Sequence, residues 1–515
     1  MPVIICRLGS IRGGRVIVVS RAVLIGFLAV ALAVPLAWAQ APADLPAPAS
    51  RPAAAPPKPL PAEAVTRHTL ELPGRTLRFT ATAGAIRLDT DKGTPRADIA
   101  FIAYQLDDAD PRTRKVTFVL NGGPGVASGW LQVGAVGPWR IPFDGGPSAS
   151  PALLPNADTW LDFTDLVFVD PADTGFSRIL ATDEEVRKRL FSVDGDIASL
   201  AETMRHWLDR AQRTISPKYL LGESYGGFRG PRLARLLAAD QGTGLSGLVL
   251  VSPVLDFGGR SFVFDPMSYA QRLPTMTAAA RAASGAVSRA DLADVERYAA
   301  SEFLVDATAG ERNPAAIERR SVRVAGFLGL APAVVGRYRG LIDNQIFAHE
   351  LNRASGRVTS LYDATVTIPD PFPRQALSDY PDPVLDGLQA PVTSAMVALY
   401  ETKLNARQDG TYRLQSPSAF RQWDWGHGMH NQPQSLSAMR QALALDAHLH
   451  VLITHGLFDL VTPYFATQML LDQIPAGSGG DRVRLTTYPG GHMFYSQDAS
   501  RAAFRTDARR MYEAE

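Results

Sequence analysis

The apolar triplet Tyr219-Leu220-Leu221 runs straight into Gly222-Glu223-Ser224-Tyr225-Gly226-Gly227, and this join constrains the chain more than any other stretch. It has the form Gly-x-Ser-x-Gly, set between a strand-like run and the start of a helix. A serine on so tight a corner needs neighbours without side chains, because a Cβ on either flank would collide with the turn. The corner lifts the hydroxyl into the open, and the helix N-terminus behind it favours negative charge nearby. Ordinary Gly-rich turns share this pentapeptide pattern. The rest of the chain must therefore supply the partners that would make Ser224 a nucleophile.

The rhythm on either side of the corner gives the fold class. Leu70, Leu72, Leu77 and Phe79, then Ile86 and Leu88, alternate with polar residues as half-buried antiparallel strands do. Ala100–Tyr104, Val116–Leu120 and Leu166–Asp170 read as further apolar strands. Asp194 and Asp196 mark a helix start, and Ile197, Leu200, Ala201, Met204, Trp207, Leu208 and Ala211 follow at helical spacing. Beyond the corner, Arg232–Ala239 reads as helix and Leu248–Val251 as a buried strand. Such alternation predicts an α/β protein with a mostly parallel sheet covered on both faces. From 258 to 440 the rhythm breaks into a mainly helical insertion, a lid, in which Ser288 caps a helix over Ser288–Phe303. The sheet pattern returns at His450–Thr454 and Val483–Tyr488, so the core is read as 65–257 plus 441–515.

The N-terminus carries a different message. Residues 1–39 hold four arginines and no acid, with an apolar run Ala22–Leu36 before Ala37-Trp38-Ala39. This predicts a secretory signal cut before Gln40, with a retained anchor as the alternative, and export to the periplasm or beyond. Eight prolines within 40–64 predict an extended, disordered linker. The single cysteine, Cys6, lies in the signal, which excludes disulfides and a thiol nucleophile from the mature chain. After residue 39 acids slightly outnumber bases, and nothing suggests a nucleic-acid footprint.

A serine hydroxyl is a poor nucleophile until a positioned base takes its proton, and histidine, oriented by an acid, suits that task. Asp459 follows the strand His450–Thr454, within His455-Gly456-Leu457-Phe458-Asp459. His492 follows Val483–Tyr488, within Pro489-Gly490-Gly491-His492-Met493. Singly, Asp459 is a turn residue and Gly-Gly-His a loop. The ordered set Ser224, Asp459, His492, each at the carboxyl end of a strand, points to nucleophilic catalysis. The loop Asn121-Gly122-Gly123-Pro124-Gly125 directly after a buried strand gives its glycines a purpose. Acyl transfer needs two backbone N–H groups on a developing oxyanion, here those of Tyr225 and Gly123. His427, His430, His448 and His450 read as structural, and no metal or cofactor is implied.

These pieces resemble the serine carboxypeptidases, enzymes of the α/β-hydrolase fold. The matching motifs are Leu120-Asn121-Gly122-Gly123-Pro124-Gly125, Val169-Asp170-Pro171 with Thr174-Gly175-Phe176-Ser177, Gly222 to Gly227, Gly456 to Asp459, and Gly491-His492-Met493. The resemblance implies a peptide substrate whose terminal carboxylate meets Asn121, the Gly122 backbone and Glu223. Two carboxylates in contact repel, so Glu223 would bind only when protonated, which implies activity at mildly acidic pH. Val119 stands where many members have tryptophan, and Val126 where many have cysteine. A proline-type aminopeptidase, an esterase or acyltransferase, and a non-catalytic binding protein of the same fold remain the alternatives.

Overall fold

Side chains alternate across a β-strand, so a strand buried on both faces must be apolar at nearly every position. Val116–Leu120 and Gly247–Val251 fit this pattern, and all of their residues are buried. The computed structural model describes residues 58–143, 149–258, 265–377, 379–426 and 433–513, and from residue 58 on they form one compact unit. Nine strands run through the main sheet: β1 (Ala64–Leu72), β2 (Arg75–Asp89), β3 (Pro95–Leu106), β4 (Val116–Leu120), β5 (Asp165–Val169), β6 (Lys218–Glu223), β7 (Gly247–Val251), β8 (His450–Gly456) and β9 (Val483–Tyr488). Their order is β1-β2-β3-β5-β4-β6-β7-β8-β9, with the short strand Arg178–Ile179 added beside β3. The first three strands pair antiparallel, as does β3 with β5. Every pair from β5 to β9 is parallel.

Register turns the sequence pattern into two cores. Phe118, Leu220, Leu248 and Val451 form one row across the sheet, and Val119, Leu221, Val249 and Leu452 form the next. The first row packs under the helices Val193–Arg210, Tyr225–Gln241 and Leu436–Leu445. The second packs against Trp130, the helix Leu385–Thr402 and the last helix, Asp498–Glu513. The same register brings Leu120 level with Gly222, and Val251 level with both Glu223 and Thr454. All the expected motif loops therefore leave the sheet at one edge.

Several boundaries differ from the sequence reading. The helix expected to start at Asp194 starts at Val193, because the Ser192 hydroxyl accepts from Gly195 N at 3.1 Å. The helix expected over Arg232–Ala239 starts already at Tyr225 and carries Pro231 within it. Ser288 does form a reciprocal capping box with Asp291, but the expected long helix is broken at Ala300-Ser301 into Ala293–Ala299 and Glu302–Thr308. The 258–440 stretch divides physically in two. Helices between Pro266 and Glu350 build a separate apolar cluster, whereas Leu385–Thr402 joins the main core. Of the expected 40–64 linker only the last residues are described, and these are tied down. Leu60 N donates to Asp98 at 2.9 Å, Arg178 donates to the Lys58 carbonyl at 2.7 Å, and β1 already begins at Ala64. Residues 1–39 and the pair His427 and His430 lie outside the described residues.

One buried ion pair braces the motif edge from below. Arg229 donates to Asp196 through Nε at 2.7 Å and Nη2 at 3.0 Å, and through Nη1 to the Asn121 carbonyl at 2.5 Å. Both side chains are almost wholly buried. Removing one partner strands the other charge in the core. Asp196→Ala is expected to lower stability by about 3–5 kcal/mol, read as a lower urea midpoint with an unchanged slope. A midpoint within error of wild type would show that the pair is not a structural brace.

Candidate active site

Ser224 sits on the corner between β6 and the helix Tyr225–Gln241 with φ 59° and ψ −117°. A residue with a side chain is strained there, so the surroundings must over-determine it. Ser224 N donates to the Val251 carbonyl at 2.8 Å, and its own carbonyl accepts from Gly227 N at 2.9 Å. A Cβ at Gly226 would lie 2.5 Å from the Leu120 carbonyl. The Asn121 loop closes over the corner so tightly that a Cβ at Gly122 would lie 2.6 Å from Tyr225 N and 2.9 Å from Ser224 Cβ. Gly122 thus packs directly on the first amide of the helix, that of Tyr225.

Asp459 and His492 come from the loops after β8 and β9. His492 Nδ1 stands 2.8 Å from Asp459 Oδ2, with both side chains buried. A proton on Nδ1 directed at Asp459 makes Nε2 the accepting ring nitrogen. Asp459 Oδ1 accepts from Val461 N at 2.8 Å and Thr462 N at 2.9 Å, and Thr462 Oγ1 donates to Oδ2 at 2.5 Å. Sequence reasoning missed Thr462, although Asp-x-x-Thr after a strand is a local capping pattern. Its carbonyl also meets Nδ1 of His455 at 3.0 Å, whose Nε2 contacts Thr467 Oγ1 at 2.9 Å. Burial lowers the His455 pKa to about 4, so it is a neutral strut.

The loop Leu361–Ala364 laces the Asp459 and His492 loops together, and no sequence signal marked it. His492 N donates to the Tyr362 carbonyl at 2.5 Å, Ala364 N to the Phe458 carbonyl at 3.0 Å, and Leu460 N to the Leu361 carbonyl at 3.0 Å. The Tyr362 ring meets His492 edge-on at 5.3 Å. The Asp363 carboxyl accepts from Gly491 N–H, and burial raises its pKa.

Glu223 is buried next to the serine. Burial pushes its pKa up to about 7, against the opposing influence of His492 and hydrogen bonds from Tyr495 and Asn121. The Tyr495 hydroxyl donates to Glu223 Oε2 at 2.7 Å, while Asn121 Oδ1 accepts from Leu131 N at 3.1 Å. Tyr495 was not anticipated from the sequence. Asn121, Gly122, Gly123, Glu223, Ser224, Tyr225 and His492 all line one cleft of about 530 Å³, and Asp459 lies buried behind His492. Trp130 lines it too, while Val119 is packed in the sheet core. Val126 is held by a backbone bridge to Gln415. His448 and His450 are not on this cleft.

Residues 74–280 match the serine carboxypeptidase family. Over that span the chain is similar to the serine carboxypeptidases. It is 32% identical over 154 residues to the pheromone-processing carboxypeptidase KEX1 of Pyricularia oryzae, covering 30% of this chain and 22% of that protein. It is 31% identical over 206 residues to serine carboxypeptidase-like 28 of Arabidopsis thaliana, covering 36% and 40%. These matches span less than half the length of either relative. Among solved structures it is similar to Kex1Δp, a prohormone-processing carboxypeptidase from Saccharomyces cerevisiae. That likeness has a TM-score of 0.54 at 14% identity, covering 84% of this chain and 91% of the other. The fold is that of an α/β-hydrolase.

The lacing of the His492 loop can be tested without a peptide substrate. A Cβ at Gly491 would lie 2.5 Å from Asp363 Cα and would also collide with the Tyr362 carbonyl. Displacing a catalytic group by about 1 Å costs on the order of 100-fold in rate. Labelling by a fluorophosphonate probe is expected to vanish in Ser224→Ala and to slow by about that factor in Gly491→Ala. Wild-type labelling in Gly491→Ala would show that this contact does not set the histidine.

Proposed function

We propose that the protein is a serine carboxypeptidase that releases the C-terminal residue of peptides through an acyl-enzyme. Ser224 attacks the last peptide carbonyl while His492 takes its proton, and Asp459 orients and stabilises the imidazolium. The N–H groups of Gly123 and Tyr225 receive the oxyanion. His492 then returns the proton to the leaving amine, and water, activated by the same histidine, frees the acid. Asn121, the Gly122 backbone and Glu223 hold the terminal carboxylate. The observation that carries this reading is Glu223, a buried carboxyl with a raised pKa in the same cleft as Ser224. An enzyme that only needed a nucleophile has no use for such a group.

We further propose that residues 1–39 direct export to the periplasm or beyond, with cleavage before Gln40, and that 40–64 lead into the core. Residues 65–257 and 441–515 form the hydrolase core, and 258–440 are the lid. Among the described residues no helix is long and apolar enough to cross a membrane.

The charge logic fixes a pH dependence. Protonated Glu223 donates a hydrogen bond to the substrate carboxylate, whereas ionised Glu223 repels it. The carboxyl pKa is raised to about 7, so the binding form is populated below that pH and lost above it. For a blocked dipeptide with a free C-terminus, kcat/KM is expected to fall as pH rises through about 7. The matching C-terminal amide should lack this fall, as should Glu223→Gln on the free acid. Equal profiles for acid and amide, or turnover restricted to free N-termini, would replace carboxypeptidase by esterase or aminopeptidase chemistry.

A further inference from the structure

The mouth of the cleft is built by a segment that the catalytic reading does not use. Tyr412–Gln422 runs along the Gly-rich loop, where Ala127 N donates to the Leu414 carbonyl at 2.9 Å and Ser416 N to the Gly125 carbonyl at 2.8 Å. The Ser416 hydroxyl donates to Asp173 at 2.5 Å, and Arg413 pairs with the same carboxylate. The short helix Pro417–Gln422 then buries Ala419 against Gly125, so closely that a Cβ on Gly125 would lie 2.7 Å from it. These ties fix the helix on the rim of the cleft, where it carries Phe420 and Arg421. Phe420 is 73% exposed, so its ring offers an open apolar surface beside the charge.

Arg421 is exposed and has no hydrogen bond or ion pair with any described residue. Among the described residues lining the cleft it is the only lysine or arginine, and Glu223 is the only acid. Glu223 and Asn121 are buried beside the serine, whereas Arg421 stands in solvent at the rim. Glu223 with Asn121, and Arg421, therefore line the cleft at different depths. A cationic substrate side chain near Arg421 would be repelled without an acid to compensate, while an anionic one would find an unpaired partner.

Building on the carboxypeptidase reading, we propose that Arg421 selects peptides with an acidic side chain, Asp or Glu, on one of the two residues flanking the scissile bond. Phe420 supplies the apolar wall along which the stem of that side chain lies. An exposed ion pair is weak and screened by salt, so the expected preference is about three- to fivefold for Glu over its neutral isostere Gln, and larger over Lys.

The test uses blocked peptides that carry Glu, Gln or Lys at either of the last two positions. Binding to Ser224→Ala is measured by calorimetry, and turnover is measured with wild type. At one position the Glu-to-Gln affinity ratio should exceed one and shrink as salt rises from about 0.01 to 1 M. Adding Arg421→Glu to Ser224→Ala should bring that ratio to one or below and favour Lys. A ratio that ignores Arg421→Glu overturns the proposal. So does an equal loss for all peptides, which would assign Arg421 to the terminal carboxylate. Absence of turnover on every peptide, with the charge preference in binding intact, would instead overturn the carboxypeptidase reading and leave the selectivity standing.

Discussion

The corner at Ser224 is held in a backbone conformation that a residue with a Cβ resists, and much of the surrounding structure follows from keeping it there. From one side the amide is fastened to Val251 on the neighbouring strand. From the other, the Asn121 loop closes to within a distance that tolerates no side chain at Gly122 or Gly226. Arg229 supports that loop from beneath by holding the Asn121 carbonyl while paired with Asp196. The glycines, the parallel register of β4, β6 and β7, and the buried ion pair are thus parts of one constraint. Loosening any of them would relax the serine toward a commoner conformation.

Two buried carboxyls near this corner show how environment divides labour. Asp459 lies among four donors: two backbone amides, the Thr462 hydroxyl and His492. Glu223 has the Tyr495 hydroxyl and the Asn121 side chain, which do not offset its burial, and its pKa climbs to about 7. One group is wired to a histidine. The other is left able to hold a proton. The insertion contributes to the first of these arrangements, because Leu361–Ala364 binds the loops of both Asp459 and His492. It therefore holds those two loops together as well as lining the cleft.

Much of this was legible in the chain. The strands near 116–120, 219–221 and 248–251 were readable because burial on both faces demands unbroken apolar runs, and the motif loops followed directly after them. Helix limits were less legible. Ser192 won over Asp194 as a cap through its side-chain geometry, and the corner started its helix at once despite Gly226, Gly227 and Pro231. Packing against β6 and β7 outweighs their poor helix propensity. Tyr495 and Tyr362 were not anticipated because each acts through a partner distant in sequence, whereas Thr462 binds Asp459 three residues away in a local pattern that was passed over. Tyr495 reaches Glu223 across 272 positions.

Contiguous residues were enough to specify an inventory and its order: a serine on a Gly-flanked corner, an aspartate and a histidine after later strands, and a Gly-rich loop after an early one. Local sterics and hydrophobic periodicity suffice for that, since both are properties of short stretches of chain. The environment of each group had to wait for folding. The raised pKa of Glu223, the pinning of the His492 loop by Tyr362 and Asp363, and the placing of Arg421 on the rim all depend on segments brought together from far apart. Burial and hydrogen-bond partners are set by that three-dimensional meeting, and no local pattern encodes them.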